Sequence, residues 1–168
     1  FIDEIVERVI EYQFNNLSEF SNNNWVRGTF YSGVMACYQS IGNPYYLNRC
    51  IEWGDELDWE IPSKENNVYG SGFYSLICAQ IWLECYLEKR SKHMLHPTIA
   101  YLNDTKFSNP LSDPLKWYFE NSGLRFVDGL FTSPPAFAML NNITGDEKYL
   151  DWMDACFWDV FGALFDVE

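Results

Sequence analysis

The chain repeats itself, and the repeat constrains its fold more tightly than any other feature. Residues 26–33 read Val-Arg-Gly-Thr-Phe-Tyr-Ser-Gly, and residues 127–134 read Val-Asp-Gly-Leu-Phe-Thr-Ser-Pro. Further on, each copy reaches a glycine and a fresh start: Gly42-Asn43-Pro44-Tyr45-Tyr46-Leu47 in one, Gly145-Asp146-Glu147-Lys148-Tyr149-Leu150 in the other. A weaker third copy, Phe73-Tyr74-Ser75, echoes Phe30-Tyr31-Ser32. A unit of inner helix, glycine turn and returning outer helix cannot bury its apolar face alone, so it must stack on its neighbours. Stacked hairpins make a solenoid or, when the ring closes, an (α/α) toroid. The inner helices then aim their N-terminal ends at one common mouth, where the polar residues that precede them converge.

Helical periodicity runs through most of the chain. Ile2, Ile5, Val6, Val9, Ile10 and Phe14 mark a first amphipathic helix. A second is predicted from about Arg27 to Ser40, closed by Gly42 as helices commonly are. Pro44 opens a third, from Tyr45 to about Leu57, at a position where its missing N–H costs nothing. Residues 60–72 read as a long loop. The stretch from Phe73 to Lys89 is apolar on nearly all sides, the mark of an inner, buried helix. A more polar outer helix is predicted over 93–107, then a short aromatic helix around Trp117-Tyr118-Phe119 between Asn109 and Ser122. Two more helices run from about Phe131 to Asn141 and from Glu147 past Trp158. Strand alternation is absent. The expectation is an all-α domain over residues 1–168, about half of an (α/α)6 toroid and truncated at both ends. Its uncapped end hairpins predict self-association.

Charge narrows the partners. Lys and Arg number 11 against 24 Asp and Glu, for a net charge of −13, so a polyanion such as nucleic acid is repelled. A single uronate remains compatible if one local cation overrides that field. No apolar run is long enough to cross a membrane. The five cysteines, Cys37, Cys50, Cys78, Cys85 and Cys156, have no metal-ligand spacing and read as reduced, buried apolar residues. His93 and His96 lie three apart without acidic or thiol ligands nearby, so no metal and no cofactor is expected. A cytoplasmic setting is the working expectation. Three Asn-x-Ser/Thr matches, at Asn16, Asn103 and Asn142, are too short a motif to imply secretion.

The 13 Phe, 11 Tyr and 7 Trp exceed what a plain helical bundle needs. Flat rings suit either a core of large residues or a cleft that packs the C–H faces of sugars. Asp128 precedes an inner helix and is flanked by Phe126, Val127, Leu130 and Phe131. Loss of water among such neighbours raises a carboxyl's pKa toward an acid's working range, whereas a helix N-terminus favours the anion. The plain alternative is an Asp that caps its helix. Arg27 occupies the position equivalent to Asp128 in the first repeat, where it can face a uronate carboxylate or pair with a neighbouring acid. Tyr31, Trp25, Trp117 and Phe126 are candidate sugar platforms, with a place in the core as the alternative.

The segments Trp25-Val-Arg-Gly-Thr-Phe-Tyr-Ser-Gly-Val and Val127-Asp-Gly-Leu-Phe-Thr-Ser-Pro-Pro-Ala-Phe-Ala-Met-Leu resemble the unsaturated rhamnogalacturonyl hydrolases, glycoside hydrolase family 105. The resemblance continues through Thr144-Gly-Asp-Glu-Lys-Tyr-Leu-Asp-Trp-Met-Asp and extends to the related unsaturated glucuronyl hydrolases of family 88. It runs in order over the whole chain and corresponds to the first half of a family barrel. It implies removal of a terminal 4,5-unsaturated uronic acid from pectin oligosaccharides by hydration of the C4=C5 bond. Asp128 would act as acid and then base, unlike the paired carboxylates of most glycosidases.

Two departures stand against that pattern. The family carries an Ala-Asp-Asp type motif five or six residues before a Gln on the inner helix; counting back from Gln80 gives Ser75 and Tyr74. A serine can hydrogen-bond to substrate but cannot carry charge. Phe126 stands where the family places a Trp, so a ring remains without its N–H. The alternative reading is therefore a family member that has lost its chemistry and serves as a sugar-binding or scaffold domain.

Overall fold

The computed structural model describes residues 2–16, 24–61, 76–103 and 127–165. Among these, the helices are α1 (Ile2–Asn15), α2 (Trp25–Ile41), α3 (Pro44–Glu56), α4 (Leu76–Lys89), α5 (Lys92–Asn103), α6 (Gly129–Thr132), α7 (Pro134–Thr144) and α8 (Lys148–Leu164), and there is no strand. The long loop, the third repeat copy at 73–75, the end of the 93–107 helix and the aromatic helix near Trp117 lie outside the described residues.

Local chemistry explains the boundaries. The second helix starts earlier than its periodicity suggests, because Asn24 caps it, its side chain accepting the Arg27 N–H at 2.9 Å. Asn43 does the same for α3, accepting the Tyr45 N–H at 3.0 Å ahead of Pro44. Gly42 (φ 75°) and Gly145 (φ 72°) end α2 and α7 in the left-handed conformation, each donating its N–H four residues back, to Tyr38 and Asn141 at 2.8 Å. The middle hairpin uses Arg90 (φ 56°) for the same turn, its N–H reaching the Tyr86 carbonyl. The helix predicted from Phe131 to Asn141 divides at Ser133 into α6 and α7, since Pro134 and Pro135 bring no N–H to continue it.

Three hairpins result: α2–α3, α4–α5 and α6/α7–α8. Their inner helices stand in a row, with α4 in the middle packed against α2 and α7, while α3, α5 and α8 return outside. The inner helices α2 and α4 run parallel. Gly28 lies against Ile77 and Cys78 at their starts, and Tyr38 and Gln39 bond Glu88 and Glu84 near their ends. This is the (α/α)-toroid arrangement over part of a ring. As its largely apolar sequence predicts, the first two turns of α4 are enclosed, with Leu76 to Leu83 all buried. Each such aliphatic side chain contributes roughly 1.5–3 kcal/mol by leaving water.

Most described aromatic residues go into this core and not into a cleft. Tyr31 stacks on Trp53 (4.1 Å between centroids, 3° apart), Trp53 meets Trp82 at 4.5 Å, and Trp82 meets Trp59 at 5.3 Å. Left-handed Asp58 and Trp59 fold the chain back so that the Trp59 indole N–H donates to Asp55 at 2.9 Å. At the two ends of the row apolar side chains stay in water: Ile5, Val9 and Tyr12 on α1, and Phe157, Trp158, Phe161 and Leu164 on α8.

Candidate active site

The mouth is built by helix starts. Asn24 is buried; while its side chain caps α2, its carbonyl accepts the Gly28 N–H at 3.0 Å and the Cys78 thiol at 3.9 Å. One residue thus ties the N-terminal ends of α2 and α4 together. Trp25, in the first turn, is 40% exposed, whereas Arg27 is 7% exposed. A guanidinium enclosed to that degree at the start of an inner helix offers charge where little water competes for it.

Asp128 lies across α4 from that corner, at the start of α6. It is exposed, and so are Val127 and Phe131 on either side. The capping alternative does not describe it: Asp128 has helical backbone angles, and its carboxylate makes no capping hydrogen bond. Its carbonyl instead accepts the N–H groups of Phe131 and Thr132 at 3.0 and 3.1 Å. The expected loss of water is not met either, because Val127 and Phe131 are themselves exposed and leave the carboxylate accessible.

What holds this turn is Gln80, which sequence reasoning used only as a landmark. Its side-chain amide, 8% exposed, donates to the Phe131 carbonyl at 2.6 Å and to the Thr132 carbonyl at 3.0 Å. The signal for this was present in Pro134-Pro135. In a continuous helix the Phe131 carbonyl would accept from residue 135, which has no N–H. The Thr132 carbonyl would accept from Ala136, whose N–H is taken by Ser133 at 3.0 Å. Such carbonyls require an outside donor, and α4 supplies it.

The remaining predicted residues divide. Arg27 and Trp25 sit at the α2 start, at the same end of the row as Asp128. Tyr31 lies deeper: burial pushes its phenol up to about 12, against the lowering influence of Arg49, and one ring face is covered by Trp53. It is a core residue beneath the mouth, not a platform within it. Ser75, Trp117 and Phe126 lie outside the described residues.

No group of three or more His, Cys, Asp or Glu side chains among the described residues is placed to hold a metal ion. His93 sits on the outer helix α5, its Nδ1 2.8 Å from the Ser91 hydroxyl and its Nε2 3.8 Å from Asp55. None of the five cysteines forms a disulfide; burial raises the thiols of Cys50, Cys78 and Cys85, the last two to about 12, so these three are not ready nucleophiles. No helix among the described residues is long and apolar enough to cross a membrane.

Comparison with solved structures returns polysaccharide lyase BACCELL_00875, with a TM-score of 0.74 and 22% sequence identity, over 97% of this chain and 46% of that one. That likeness establishes the fold, and the chain spans about half the length of the relative. No curated protein matches it. The family model for Glycosyl Hydrolase Family 88 matches residues 1–168. With the hairpin architecture, the converging helix starts and a match over the whole sequence, the chain belongs to Glycosyl Hydrolase Family 88.

Proposed function

We propose that this chain is part of an enzyme of the unsaturated rhamnogalacturonyl hydrolase type, family 105, which removes a terminal 4,5-unsaturated uronic acid from pectin-derived oligosaccharides. The observation that carries the reading is Asp128: an accessible carboxyl, free of any capping bond, on a turn anchored to the central inner helix.

In this reading the substrate's C4=C5 bond is an enol ether, polarised by the ring oxygen. Asp128 gives its proton to C4, and the cation at C5 is stabilised by that oxygen. Water adds at C5 and returns a proton to the Asp128 carboxylate. The hemiketal then opens to a ketone, C1 becomes a hemiacetal, and its collapse releases the rest of the oligosaccharide. One water is consumed and the carboxyl is regenerated. Arg27 supplies the cation for the uronate and Trp25 a ring for the sugar face. Ser75, Trp117 and Phe126 complete the substrate contacts by their sequence positions. No cofactor enters the scheme.

The test follows the ultraviolet absorbance of the conjugated uronate in lyase-treated rhamnogalacturonan. Steady loss with the chain, and its disappearance in Asp128→Asn with unchanged helical circular dichroism, is the expected outcome. Full turnover by Asp128→Asn would remove that residue from its role. The second reading, a sugar-binding domain without turnover, is favoured by Tyr74 and Ser75 standing where the family carries acids. It expects tryptophan fluorescence to report binding of the same oligosaccharides while the absorbance stays constant.

A further inference from the structure

We infer that Gln80 is the positioning residue for Asp128, a role that rests on the acid/base reading of Asp128 given above. The α6 segment is a single turn of four residues, too short to hold its own geometry. Pro135 leaves the Phe131 carbonyl without a helical donor, Ala136 gives its N–H to Ser133 and not to Thr132, and the Gln80 amide satisfies both carbonyls, at 2.6 and 3.0 Å. The nitrogen of one planar amide thereby bonds two consecutive carbonyls, which fixes the turn in height and in rotation. Asp128 is joined to the same two residues by its own carbonyl, which accepts their N–H groups. Gln80 therefore sets where the carboxyl stands relative to the starts of α2 and α4. A carboxyl must reach both C4 of the sugar and a water near C5, so a displacement of about 1 Å costs on the order of 100-fold in rate.

Gln80→Leu keeps the bulk and removes the donor; Gln80→Glu keeps the shape, and its carboxyl donates only when protonated. In the absorbance assay, Gln80→Leu is expected to lower kcat roughly 10–100-fold with KM within about twofold, since ground-state sugar contacts lie elsewhere. Gln80→Glu is expected to regain rate as pH falls, relative to the unsubstituted chain, a response that a merely structural role would not give. Amide hydrogen exchange on the same proteins should show faster exchange confined to residues 128–133 in Gln80→Leu. Unchanged exchange there, or an unchanged kcat, overturns the role of Gln80 while an inactive Asp128→Asn leaves the acid/base reading standing. Absent turnover in the unsubstituted chain removes both.

Discussion

Gly28→Ala tests how closely the two inner helices at the mouth approach. By helix propensity alone the change should help, since Ala is favoured over Gly inside a helix by roughly 0.5–1 kcal/mol. The packing says otherwise. A Cβ on Gly28 would come under 3.0 Å from Ile77 Cγ2, with Cys78 Sγ at 3.3 Å and the Cys78 backbone nitrogen at 3.4 Å. Ile77 and Cys78 are both fully enclosed, so neither can swing into solvent, and the Cys78 nitrogen belongs to α4 itself. Relief requires a strained rotamer at Ile77 or a separation of the helices, and overpacking of this kind costs about 1–3 kcal/mol. Taking the propensity gain from that cost leaves a net loss of roughly 0–2.5 kcal/mol, near 1 at mid-range. Urea unfolding followed by circular dichroism should show a lower midpoint at unchanged m-value. Ile77→Ala on its own costs roughly 2–5 kcal/mol, but the double variant should lose less than the two changes added, because the new methyl occupies vacated space. A Gly28→Ala protein as stable as its parent or more so, with additive behaviour in the double variant, would refute this account of the α2–α4 contact.

Three further outcomes follow from single residues. Arg90→Gly should raise stability by about 0.5–1.5 kcal/mol, since a left-handed non-glycine residue costs roughly 1–2 kcal/mol and the contact of Arg90 with Tyr86 returns only about 0.5. The reciprocal Gly42→Ala should be destabilised by about 1 kcal/mol in the same denaturation assay. Burial raises the Glu84 carboxyl above its ordinary 4.5, against the lowering effect of its hydrogen bond from Gln39. The folded state thus holds this proton more tightly than the unfolded chain. Its contribution is complete below 4.5 and is lost as pH rises through the raised folded value. Glu84→Gln, which keeps an acceptor for Gln39, should lose less stability from pH 4.5 toward neutrality; a profile parallel to the parent's would exclude Glu84 as the cause.

The amino-acid sequence by itself determined most of the helices, the hairpin unit and its glycine turns. Helical period, cap and breaker are local properties, set within a few residues by backbone sterics and hydrogen bonds. The paired Gly42 and Gly145, the proline openings and the all-round apolar α4 were legible for that reason. Asp128 was singled out by its place in the repeat, which the fold carries to the start of an inner helix. Only the tertiary structure decided where each aromatic face went. Tyr31 and Trp25 share a helix and similar chemistry, yet one stacks on Trp53 and the other meets solvent, since α3 covers one side of α2 and not its first turn. It alone exposed Asp128 to water and closed the middle hairpin on Arg90, a residue type that seldom adopts that turn. It also gave Gln80 its partners, 51 and 52 residues away. A bond between groups so far apart depends on how three helices pack. That packing is governed by nonlocal burial summed over the core, which no window of sequence contains.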